Sequence, residues 1–232
     1  MPANHVDIVL VHGAWADGSS WAKVIGALEA DGFNAVAAPL PLTSLADDVA
    51  ALDQTLERVD GPVVLAGHAY AGAVIGATRD SKVASLVYIA ALAPERGESA
   101  SDVFNRGQPD PKKPKLEPDS HGLVWLPESA FADAFAPNAS AQEQAVLAAV
   151  QRPVSVNAVS APVDRPLWKD RPSWFLIAEQ DNMIGADTER FTALRMGARA
   201  RSLPVDHTPL VTAPQDVADI IRDAVSEVTT PA

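Results

Sequence analysis

Three stretches of the chain hold residues able to act together on a substrate. In VVLAGHAYAGAVI, residues 63–75, a buried-type apolar run meets Gly67, and small residues at Gly67, Ala71 and Gly72 surround position 69. Small neighbours suit a sharp strand-to-helix turn, because the two backbones approach closely there. Such a turn presents residue 69 at the carboxyl end of the strand and aims the next N–H at whatever binds there. A nucleophile is expected at that place, and this chain has Ala69. The plain alternative is a structural turn that matches G-x-S-x-G by chance, since the fifth position is Ala71.

The second stretch, Val9 to Trp15, ends an apolar run with His12-Gly13-Ala14-Trp15. A loop of this form can supply one oxyanion-binding amide, so Ala14 N–H and Tyr70 N–H form a candidate pair. A tight turn is the alternative reading of His12-Gly13. The third set lies near the carboxyl terminus. Asp181 follows Ala178-Glu179-Gln180 where a carboxylate could orient a histidine, although Asp also caps turns there. His207, in Val205-Asp206-His207-Thr208-Pro209, is the only histidine of the last third and the candidate general base. Glu95 is the second choice for the acid. His12 and His68 belong to the motif loops, His5 and His121 look peripheral, and no two histidines have helical metal-site spacing, so no metal and no cofactor are expected.

These residues need a frame. Short apolar runs at Val6–Val11, Ala35–Ala38, Val63–Ala66 and Leu86–Ala91 alternate with amphipathic stretches, as in βαβ units around a parallel sheet. Trp21, Val24, Ile25 and Leu28 predict a helix over 21–30 that Asp31-Gly32 stops. Ser44 caps a second one carrying Leu45, Val49, Leu52 and Leu56 on one face. From Pro94 to about Pro166 no strand is expected: a Pro/Lys-rich passage with Lys112, Lys113 and Lys115, read as a solvated lid loop, precedes helical stretches at Glu128–Phe135 and Gln142–Val150. The rhythm resumes with a strand at Ser173–Ala178, a helix at Thr188–Met196, a strand at Arg199–Leu203 and a helix at Pro214–Val225. Residues 1–94 and 167–232 are thus expected to form one core and 95–166 an inserted helical cap.

Composition narrows the function. The 232 residues carry a formal charge of −12, which disfavours nucleic acid and anionic membranes because affinity for polyanions comes from cationic neutralisation. Cysteine is absent, which removes thiol nucleophiles and thiolate metal sites. The amino-terminal apolar run is too short to span a bilayer and lacks a basic flank, so the expected location is cytoplasmic. A small-molecule partner fits, and a homodimer is compatible with the sequence.

The order of elbow, Asp181 and His207 is the one used by α/β-hydrolases, and nearly the whole chain resembles that superfamily. The resemblance is carried by His12-Gly13-Ala14-Trp15, PLPLTSLADDVAAL, Gly67-His68-x-Tyr70-Ala71-Gly72, Tyr88-Ile89-Ala90-Ala91, Pro172-Ser173-Trp174 and the Asp181 and His207 loops. It is similar to the small branch of plant methylesterases, hydroxynitrile lyases and bacterial esterases. The resemblance implies an α/β fold with a mainly parallel sheet of about six strands, starting at the strand before the oxyanion loop, and a helical cap. It also implies a serine at position 69, with Asp181 and His207 completing a triad. Trp15, Trp125, Phe131, Phe135 and Trp168, in the oxyanion loop or the cap, are candidate pocket residues for a small apolar or aromatic ester, or core residues of the cap.

Alanine cannot form an acyl-enzyme. The leading reading of Ala69 is an inactive variant of a serine esterase. A natural alanine-elbow lyase or decarboxylase, with His207 acting on a carbonyl compound, and a ligand sensor without catalysis are the alternatives.

Overall fold

The computed structural model describes residues 6–107 and 112–229. Six strands form one parallel sheet in the order β2-β1-β3-β4-β7-β8: β1 (Asp7–Val11), β2 (Asn34–Ala38), β3 (Val63–His68), β4 (Val83–Ile89), β7 (Ser173–Ala178) and β8 (Arg199–Leu203). The apolar runs of β1, β3 and β7 are buried at every residue. Helices cover both faces of such a sheet, so its central strands have no polar side. The edge strand β8 is half-exposed and carries Arg199 and Arg201, which pair with Glu227 and Asp223. Charge on an edge discourages pairing with another chain.

The crossovers are helical: α1 (Ala22–Ala30) after a 3₁₀ turn at Gly18–Trp21, α2 (Leu45–Leu56), and α3 (Ala71–Ala77). Ser44 Oγ accepts the Asp47 N–H and caps α2. Helix α10 (Pro214–Thr229) packs on α1 and on β3 and β4, and its buried stripe of Val217, Ile220, Ile221, Ala224 and Val225 follows the helical period. The chain leaves β1 toward β2 and leaves β3 toward β4, in opposite directions along the sheet. The switch point therefore lies between the carboxyl ends of β1 and β3, where open α/β sheets bind their ligands.

Between β4 and β7 lie α4 (Ala100–Phe104), β5 (Leu123–Val124), α5 (Glu128–Ala130) running into a π turn at Phe131–Phe135, α6 (Ala141–Val150), β6 (Val154–Ser155) and α7 (Val156–Ser160). The strands β5 and β6 pair antiparallel, which corrects the expectation of no strand in this segment. Each is two residues long, too short to leave an alternating pattern. Helix α8 (Ala186–Met196) joins β7 to β8, ending at Gly197 with φ 63°. A short helix, α9 (Pro209–Thr212), follows the His207 loop.

Candidate active site

Strain collects along the carboxyl edge of the sheet. The non-glycine residues with positive φ among those described are Trp15, Leu42, Ala69 and Ala90, following β1, β2, β3 and β4. Ala69 has φ 51°, the geometry that lifts a residue out of a strand-to-helix turn. The turn is possible because Gly72 lies against the loop after β4: a Cβ there would sit 2.3 Å from Leu92 O. Gly13 is constrained in the same way, since its Cβ would meet His68 O at 2.9 Å and Ala69 Cβ at 3.0 Å. The oxyanion-loop candidate therefore abuts position 69.

Buried histidines hold both loops. Leu40 N–H donates to His12 Nε2 at 3.0 Å, which leaves Nδ1 to carry the proton toward Gly13 O at 2.9 Å. Burial lowers the His12 pKa, in keeping with a neutral ring. Trp15 N–H donates to Arg152 O and its indole N–H to Val124 O, tying the loop to the segment above it. Neither Ala14 N–H nor Tyr70 N–H donates to a backbone acceptor among the described turns and loops. Tyr70 is anchored at its other end, where its hydroxyl donates to Asp48 at 2.7 Å while Asp48 also accepts the Leu42 N–H.

His207 Nδ1 is 2.6 Å from Asp181 Oδ2, with both side chains buried. Asp181 Oδ1 accepts the Met183 and Ile184 N–H groups at 2.6 and 2.9 Å. Burial opposes ionisation of Asp181, but His207 and these hydrogen bonds outweigh it and hold the carboxyl below the usual range. Glu95, the second choice for the acid, pairs instead with Lys169 at 2.6 Å. His68 Nε2–H donates to His207 O at 2.7 Å, and the two rings lie 4.9 Å apart. Burial, and then the neighbouring His207, pushes the His68 pKa down to about 3.

Ala14, Ala69, Tyr70 and His207 line a cavity of about 270 Å³. With Nδ1 of His207 engaged by Asp181, Nε2 is the nitrogen left for a ligand. The walls are apolar: Trp15, Leu92, Phe104, Leu116, Val124, Val154, Val156, Val159, Met183 and Ile184, with Ser101 and Asn105 as the polar additions. Among the described residues, no aspartate, glutamate, lysine or arginine lines the cavity. Among the described residues no group of three or more His, Asp or Glu is placed to hold a metal ion, and no helix is long and apolar enough to cross a membrane.

Of the aromatic residues expected at the pocket, Trp15 lines it and four do not. Trp125 is 49% exposed. Phe131 and Phe135 are buried behind the site, Phe135 with its ring 5.3 Å from that of His207. Trp168 is buried with its indole N–H on Pro94 O. An aromatic residue in an insertion is as able to fill the insertion's own core as to face a ligand, and packing decides which. The walls missed by sequence reasoning come mainly from α4, β5, β6 and α7, elements too short for periodicity to mark. Met183 and Ile184 closely follow Asp181 in the chain, and that proximity is their signal in the sequence. His121 is exposed, and His5 lies outside the described residues.

A parallel six-stranded sheet with a strained turn after β3, a glycine loop after β1, and a carboxylate–histidine pair from the loops after β7 and β8 defines an α/β-hydrolase architecture. The alpha/beta hydrolase family matches residues 8–220, and the chain belongs to it. No curated protein matches the sequence significantly. Among solved structures, polyneuridine aldehyde esterase superposes with a TM-score of 0.82 at 18% identity, over 95% of this chain and 99% of that one. A pyrethroid hydrolase from Sphingobium faniae JZ-2 gives 0.81 at 21%, over 95% and 98%. A methylesterase from Arabidopsis gives 0.77 at 18%, over 96% and 99%. At these identities the likeness establishes the fold.

Proposed function

We propose that the chain has the framework of a carboxylic-ester hydrolase for a small, uncharged, apolar or aromatic ester, with alanine in the nucleophile's place. Residues 95–166 act as its cap. The observation that carries this reading is that Ala14, Tyr70, Ala69 at φ 51° and His207, held by Asp181 at 2.6 Å, line one apolar cavity. Leu42 and Ala90 carry like strain, but of the three it is Ala69 that lines the cavity, where backbone strain of about 1–3 kcal/mol has a use. A turn built to present a hydroxyl requires it. The esterase and hydrolase activities in the names of the superposed structures agree with the same class.

Given a hydroxyl at position 69, His207 would take its proton and Asp181 would hold the imidazole tautomer, while the Ala14 and Tyr70 amides received the developing oxyanion. An acyl-enzyme would form and water would release it. Without that hydroxyl the base and the amides persist, so the chain binds an ester and does not cleave it through a covalent intermediate.

The test is Ala69→Ser with p-nitrophenyl acetate and an aromatic ester as substrates. A gain of about 10⁵–10⁶ in kcat is expected, the scale of a triad serine's loss elsewhere, and His207→Ala in that background should abolish it. No gain would sink the proposal. Turnover of a β-keto acid or a cyanohydrin by the unaltered chain, lost on His207→Ala, would favour acid–base chemistry by His207 instead.

A further inference from the structure

Behind the His207–Asp181 pair lies a carboxyl group that the proposed chemistry leaves unused. Glu189, in the first turn of α8, is completely buried. Its Oε2 accepts the Ala178 N–H at 2.8 Å, and its Oε1 is buried with no donor. The side chain lies within hydrogen-bonding reach of Asp181. Ionised carboxylates only accept, so a hydrogen bond between the two requires a proton on one of them.

The partners decide which. Asp181 already accepts from Met183 N–H, Ile184 N–H and His207 Nδ1–H, and each favours the anion. Glu189 has a single amide. The titratable groups around it are Asp181 and Glu179 at the end of β7, His207 beyond Asp181, and His68 against His207. Arg190, next to it on α8, turns outward to Glu179 and Asp187. Burial first, and then the Asp181 charge, raises the Glu189 carboxyl well above the glutamate range.

We propose that Glu189 is a positioning residue, a neutral carboxylic acid that donates a hydrogen bond to Asp181 and holds that carboxylate toward His207. The inference rests on reading Asp181 and His207 as the catalytic pair. Its consequence is a moderated base: with one more donor on Asp181, less negative charge reaches the imidazole.

Infrared difference spectra of the unaltered chain against Glu189→Gln at about pH 8 should show the carbonyl stretch of one protonated carboxyl group, a form no ordinary carboxylate takes at that pH. Its absence would overturn the proposal, whatever the chain catalyses. Glutamine can accept from Ala178 and donate to Asp181, so Glu189→Gln combined with Ala69→Ser should leave the acid limb of kcat/KM within about 0.3 pH unit. Glu189→Leu should move that limb upward by about one unit, because Asp181 loses a donor. An unmoved limb in the leucine variant, or a fall of a unit or more with glutamine, would refute the role, the latter because it would mean that an anion had been removed. If Ala69→Ser is inactive, the catalytic reading fails separately. The downfield resonance of the His207 Nδ1 proton, retained in Glu189→Gln and displaced in Glu189→Leu, then decides the positioning role in the unaltered chain.

Discussion

His68 should make folding stability depend on pH in a way that one substitution removes. Its ring is fully buried, touches the His207 and Phe135 rings, and spends its one N–H on His207 O, while Nδ1 has no partner. A proton on Nδ1 would be a buried charge beside another imidazole. In the unfolded chain His68 protonates as the pH drops below 6.5, whereas the folded ring stays neutral down to about 3. The unfolded state therefore binds more protons in that window, and stability falls as the pH falls. The full gap corresponds to at most about 5 kcal/mol, at about 1.4 kcal/mol per unit. Between about pH 8 and pH 5 only the 1.5 units below 6.5 contribute, or about 2 kcal/mol. Glu189 has the opposite sign, because its raised folded-state pKa strengthens the fold as the pH falls toward the ordinary glutamate value. The raw stability curve mixes these with the other shifted groups, buried His12 among them, so the comparison is with His68→Gln, whose amide can still reach His207 O and does not titrate. Urea unfolding followed by tryptophan fluorescence should show the unaltered chain losing about 2 kcal/mol more than the variant between the two pH values. Equal losses would refute a neutral, buried His68.

The close approach of α3 to the loop after β4 gives a second expectation. Gly72→Ala would place a Cβ 2.3 Å from Leu92 O, whereas a Cβ at Gly76 would meet nothing nearer than Tyr88 OH at 3.5 Å. Thermal melts should show Gly72→Ala destabilised by about 3 kcal/mol or more, and Gly76→Ala unchanged or stabilised by up to about 1 kcal/mol. The cavity walls give a third. Val159 faces the cavity and Trp125 does not. In the Ala69→Ser background, Val159→Trp should raise KM for an aromatic ester roughly tenfold or more, while Trp125→Ala should leave it unchanged. The reverse pattern would mean that the ligand lies elsewhere in the cap.

Much of the candidate site was legible because its parts sit at the ends of strands. A strand buried on both faces leaves an uninterrupted apolar run, and the chain must turn at the carboxyl edge where that run stops. Reading those ends in order yields Gly13-Ala14, Ala69-Tyr70, Asp181 and His207. Gly72 announced a close backbone approach, and the structure places Leu92 O where its Cβ would fall, whereas the crowding of Gly13 by His68 O and Ala69 Cβ had no signal in the sequence. Within residues 95–166 the helical stretches at 128–135 and 142–150 were legible, and the β5–β6 pair and the short helices α4 and α7 were not.

By itself, then, the sequence determined the alternating α/β frame, the small-residue turn at position 69 and the candidate pair of acid and base, because each is written in local pattern or in chain order. Tertiary structure alone decided that His207 meets Asp181 and that Glu95 meets Lys169. It likewise sent Phe131, Phe135 and Trp168 into the core, left Trp125 at the surface, and set Glu189 behind Asp181. The physical reason is common to all of these. An apolar or acidic side chain is compatible with several environments, and which one it occupies depends on segments tens of residues away that local periodicity does not record.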